Sequence, residues 1–109
     1  KEHLKDLFDV DSGKKITTSD IMMKVSDKFD VSIEDMISKG RHSRIVQPRF
    51  IAMYLARKLT ELTTVEIGKE FGDRDHSTVL NAMGNVEKMI RDDEEFKEMI
   101  EDIITDIRS

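Results

Sequence analysis

The chain has 109 residues, with 38% apolar and 38% charged side chains, one Pro, five Gly, no Cys and a formal net charge of −5. That length fits one domain around a single core, and so few turn formers and aromatics exclude a sandwich or barrel, which turns roughly every ten residues. Lacking cysteine, the chain has neither a disulfide framework nor a thiolate metal site, and no apolar run approaches the roughly 20 residues of a membrane-spanning helix. Abundant Lys, Glu, Met, Ile and Leu favour helix. The expectation is an all-α fold, a compact helical domain of about six helices.

Residues 1–14 read as a linker helix. Leu4, Leu7 and Phe8 outline one apolar face before Asp9, Asp11, Ser12 and Gly13 break the pattern. Lys1 stands where an initiator Met would be and there is no signal-peptide pattern, so this segment is expected to lead from an upstream domain outside the sequence. The folded domain is expected over 15–109. Thr17 with Asp20 three residues on resembles a capping box, and Ile21, Met22, Val25 and Phe29 follow at helical spacing. A short helix starts at Ser32, with Glu34 and Asp35 in its first turn, and Ser38-Lys39-Gly40 ends it. Arg41-His42-Ser43-Arg44 reads as a basic loop, and Pro48 as part of a first helical turn. Phe50, Ile51, Tyr54, Leu55 and Leu59 give the next helix a buried stripe. Thr63-x-x-Glu66 is a capping box that opens a short helix carrying Val65, Ile67 and Phe71, with Gly72 as a left-handed stop. Asp75 is an N-cap for a helix over 76–90, whose core side is expected to be Val79, Leu80, Met83, Val86, Met89 and Ile90. Phe96, Met99, Ile100, Ile103, Ile104 and Ile107 outline a final helix with an acidic, solvated face. Met22, Met23, Met36, Met53, Met83, Met89 and Met99 are spaced mostly as core fillers.

Charge is unevenly placed. Residues 1–38 sum to −3, residues 39–86 to +3 and residues 87–109 to −5. From Lys39 to Lys58 there are six bases (Lys39, Arg41, Arg44, Arg49, Arg57, Lys58) and no acid. Displacing counterions at a few phosphates takes a local positive face, so an acidic total does not exclude nucleic acid.

Thr63 to Met89 forms a helix of about two turns, a tight Gly-Asp-Arg connection and a longer helix with a polar start: a helix-turn-helix. Its second helix is expected to enter the major groove with Asp75, His76, Ser77 and Thr78 leading. His76 can exchange a hydrogen bond or lie on a thymine methyl. The Ser77 and Thr78 hydroxyls suit a base or a phosphate, and Asp75 can accept from a cytosine amino group. Alternatively, Asp75 and Ser77 do no more than cap the helix. Asp75, His76 and Ser77 cannot converge as a catalytic triad, because neighbours on a helix point about 100° apart. His3, His42 and His76 lack ligand spacing, so no metal is expected. Arg41 suits a narrow A·T-rich minor groove or a solvated loop that touches phosphates alone. Two other functions stay open on these residues: a dimeric regulator with a palindromic site, and a helical adaptor docking through its Met-rich or acidic faces.

The run Ile67-Gly68-Lys69-Glu70-Phe71-Gly72-Asp73-Arg74-Asp75-His76-Ser77-Thr78-Val79-Leu80-Asn81-Ala82 resembles the signature of DnaA, the bacterial replication initiator, in its C-terminal DNA-binding domain. The basic loop and the Pro48-Arg49 helix share that domain's layout, and the resemblance extends over roughly residues 15 to 109. It implies a cytoplasmic, nucleoid-associated module that binds DnaA boxes in duplex DNA at the replication origin. The module is expected to be monomeric and to meet other initiator copies through domains outside this chain. The matching residues imply base contacts from Asp75, His76, Ser77 and Thr78 in the major groove. They imply Arg41 in the minor groove, and Thr64 and Val65 near bases or backbone. Ser43, Arg44, Arg49, Arg57, Lys58 and Arg74 are then expected to face phosphates. Two positions depart from the pattern: Thr64-Val65 replaces an apolar-Pro pair, and Asn85 stands where a basic residue is common. No Gly-rich phosphate loop occurs here. No cofactor is expected in this chain, and ATP belongs to the family's upstream domain.

Overall fold

A computed structural model describes residues 15–109; the linker helix expected over 1–14 lies outside the described residues. Thr17 opens α1 (Thr18–Phe29), and its box with Asp20 forms in both directions. Asp30, left-handed at φ 55, closes that helix by donating its N–H to the Ser26 carbonyl. Ser32 caps the single-turn α2 (Ile33–Met36). The chain continues through α3 (Ser43–Leu59), α4 (Thr64–Glu70), α5 (His76–Asp92) and α6 (Glu94–Arg108). Among the described residues there are six helices and no strand, an all-α fold.

The central helix is α3. All six residues from Ile51 to Ala56 are buried, because α1, α2, α4 and α5 all pack on it. Such a helix has no single apolar stripe, and the stripe read from the sequence captures only part of it. It also begins five residues upstream of Pro48, taking in Ser43 and Arg44, which the sequence assigned to the loop. Proline costs the helix one hydrogen bond there, and the carbonyl it leaves without a helical donor is that of the exposed Arg44, which solvent can reach. In exchange Ile45 and Pro48 both enter the core. The Tyr54 phenol, desolvated by this packing and facing the charge of Glu87, is pushed up to about 12.

Helix α5 faces the core with Val79, Ala82 and Val86. Leu80 was expected among them but is 52% exposed. The buried positions sit three and four residues apart, which fixes the inward direction and turns Leu80 about 100° away from Val79. Met23 is likewise an exception to the core-filler reading, at 58% exposed, whereas Met22, Met36 and Met53 are buried. The inward residues of α6 are those read from the sequence: Phe96, Ile100, Ile103, Ile104 and Ile107 are buried, with Met99 partly so. No described helix is long and apolar enough to cross a membrane.

Gly84 lies inside α5, and a Cβ added there meets nothing within 4 Å. Replacing it by Ala removes only the backbone entropy penalty of a helical glycine. Gly84→Ala is expected to stabilise the domain by about 1 kcal/mol, read as a rise in the urea midpoint at unchanged slope.

Candidate nucleic-acid interface

The helix-turn-helix is built by α4, the turn Phe71–Asp75 and α5. Thr63 caps α4 through a reciprocal box with Glu66, its backbone N–H donating to Glu66 Oε1 at 2.8 Å. The turn then folds back so closely that the Arg74 N–H donates to the Gly68 carbonyl at 2.7 Å. This approach needs Gly68, where a Cβ would stand 2.1 Å from the Arg74 carbonyl oxygen. Gly72 follows at φ +80, as the sequence suggested, and Asp73 is also left-handed at φ 63. A Cβ on Gly72 would come within 2.1 Å of the Ile37 carbonyl oxygen. The turn therefore lies directly against the segment between α2 and α3.

That contact is made by arginines. Arg49 reaches from α3 and donates to the carbonyls of Met36 at 2.6 Å, Gly40 at 3.0 Å, Asp35 at 3.1 Å and Ser38 at 3.1 Å. Arg74 donates to Phe71 O at 2.6 Å and to the same Ser38 carbonyl. Lys39 Nζ adds a 3.3 Å bond to the Gly72 carbonyl. Burial, reinforced for Arg49 by the charge of Arg74, pulls both guanidinium pKa values below their ordinary value.

Arg49 corrects the sequence reading. Its side chain is only 3% exposed and all its nitrogens are engaged, so it holds the loop and faces no phosphate. Local sequence gave no sign of this, because a basic residue in a basic stretch reads as solvated. Arg74 is half-buried and mostly committed in the same way.

The remaining expected positions lie at the surface. Arg41 is exposed, one residue beyond the clamped Gly40. His76 and Ser77 are exposed in the first turn of α5 and Thr78 is half-buried. Asp75 occupies the N-cap but does not cap with its side chain. Its carboxylate accepts from the Ser77 hydroxyl at 3.0 Å and lies 3.4 Å from His76 Nδ1. That hydroxyl, with His76 beside it, holds the Asp75 carboxyl below its usual range. In α4, Thr64 is half-buried and Val65 is 51% exposed.

Ser43 and Arg44 are exposed at the start of α3, where His42 offers no side-chain cap and no acid occupies the first turn. Free N–H groups and a positive dipole end there suit an anion. Arg57 and Lys58 sit at the far end of α3, about 20 Å away along its axis. Lys58 lies 3.8 Å from Glu87 and 5.7 Å from the centre of the Tyr54 ring. The structure therefore places Asp75, His76 and Ser77 at the start of α5, beside the turn against which residues 37–40 leading to Arg41 are held, with Arg57 and Lys58 at the far end of α3.

The family model of the bacterial DnaA protein helix-turn-helix matches residues 18–86, from α1 to the third turn of α5. The chain belongs to that family. It is a DnaA helix-turn-helix domain, and with that membership comes DNA binding in replication initiation. The match takes in the clamped loop as well as the two motif helices, so in this DnaA domain the loop and the motif form one unit.

Proposed function

We propose that this DnaA domain binds DnaA boxes at the replication origin, with the start of α5 in the major groove and Arg41 in the adjoining minor groove. The observation that supports this best is the Ser38 carbonyl shared by Arg49 and Arg74. It ties the root of the Arg41 segment to the turn that leads into α5, so two reading elements keep a fixed spacing. Asp75, His76, Ser77 and Thr78 supply base contacts, joined by Thr64 and Val65 from α4. Ser43 and Arg44 take a phosphate at the start of α3, and Arg74 offers its remaining donors to another. Arg57 and Lys58 reach flanking phosphates; the ion pair of Lys58 is long and exposed and so yields readily. The domain acts as a monomer on an asymmetric site, with ATP and self-assembly belonging to domains outside this chain.

Fluorescence anisotropy against a DnaA-box duplex and a scrambled duplex at two salt concentrations tests the reading. A preference of about tenfold or more that weakens with salt is expected. Equal, salt-sensitive binding leaves only non-specific affinity, and no binding to either duplex favours the adaptor. His76→Ala and Arg41→Ala should each lose about 1–3 kcal/mol of discrimination, whereas Arg57→Ala should weaken both duplexes alike and flatten the salt slope. Intact discrimination in His76→Ala would rule out direct readout by that residue.

A further inference from the structure

The eleven residues from His76 to Val86 include no Asp, Glu, Lys or Arg, in a chain that is 38% charged. Val79, Ala82 and Val86 point into the core. His76, Ser77, Leu80, Asn81, Gly84 and Asn85 are exposed, so the outward face of α5 is neutral for roughly three turns. Solvated faces elsewhere in the protein are densely charged, as in the exposed run Arg91–Glu95. A neutral face is one that gives up its water at low cost.

Leu80 lies on this face at 52% exposure, one of three exposed large apolar side chains among the described residues. A single exposed leucine is ordinary; its register is what singles this one out. It follows His76 by four residues, on the same side and about 6 Å further along the axis. A second of the three, Val65, stands in the first turn of α4, so two of them belong to the helix-turn-helix.

We propose that Leu80 is a further specificity-determining residue, packing on the C5-methyl group of a thymine one helical turn along α5 from His76. The inference rests on the major-groove reading above. The thymine methyl is the one apolar group that base pairs present in that groove, and leucine has neither donor nor acceptor for anything else there. The contact rewards thymine over cytosine, which carries no methyl at that position.

Uracil removes that methyl and leaves the pairing edge intact. Each thymine of a DnaA-box duplex is replaced singly by uracil, and anisotropy is measured with the wild-type domain and with Leu80→Ala, whose fold is checked by circular dichroism. One uracil position is expected to weaken wild-type binding about three- to fivefold, the worth of one buried methyl. At that position Leu80→Ala should bind the thymine and uracil duplexes equally. If every uracil penalty persists undiminished in Leu80→Ala, or no position shows a penalty, while the wild type still prefers box over scrambled DNA, Leu80 reads no methyl and this inference alone fails. A wild type that binds box and scrambled duplexes alike overturns the box reading and this one with it.

Discussion

Arg49→Met should destabilise the domain by about 3–5 kcal/mol. The methionine keeps the apolar stem but removes donors to the carbonyls of Asp35, Met36, Ser38 and Gly40. A buried acceptor left without a donor costs about 1–3 kcal/mol, and several of these carbonyls would regain water only by the loop opening. The melting temperature should fall by roughly 4–8 °C per kcal/mol, read by circular dichroism. A phosphate-contacting arginine would behave oppositely: its loss would flatten the salt dependence of DNA binding and leave melting untouched. The two outcomes separate the buried clamp from the role suggested by sequence.

Gly68→Ala carries the second large effect, an expected loss of about 3 kcal/mol. Its Cβ would stand 2.1 Å from the Arg74 carbonyl oxygen, and backbone cannot step aside as the end of a side chain can. The turn would have to move away, loosening the Arg74 N–H bond to the Gly68 carbonyl and shifting the start of α5. DNA affinity should therefore fall with stability, measured by urea unfolding and anisotropy on the same sample. The same substitution at Gly84, also helical but with open space around it, has the opposite sign. A Gly68→Ala variant as stable as the wild type would mean that the turn can sit further from α4 than the structure places it.

Much of this fold is written in local chemistry. Both capping boxes, the left-handed Gly72 and the apolar register of α6 depend on residues a few positions apart, and each forms as read. What the sequence hides depends on distant contacts. Pro48 looks like a helix start until Ile45 is seen buried, and Arg49 looks solvated until the carbonyls of α2 and its following loop surround it. Leu80 looks like core until Val79, Ala82 and Val86 have taken the inward direction. Among the candidate interface residues, the polar first turn of α5 and the exposure of Arg41 are legible in the sequence. The proximity of that loop to the turn was not, because Ile37 and Gly72 lie 35 residues apart and meet only through tertiary packing.

The shared Ser38 carbonyl has a thermodynamic consequence. A tether of free chain between α2 and α3 would have to be ordered each time it entered a groove, at about 1–2 kcal/mol per residue of lost backbone freedom. Here Arg49 and Arg74 fix the backbone through Gly40 when the protein folds, and the His42 carbonyl accepts from the N–H groups of Ile45 and Val46 at the start of α3, so in the proposed complex only Arg41 is left to be immobilised. The ordering cost is met by the hydrophobic core during folding, and the proposed association with DNA would start from a preorganised arm.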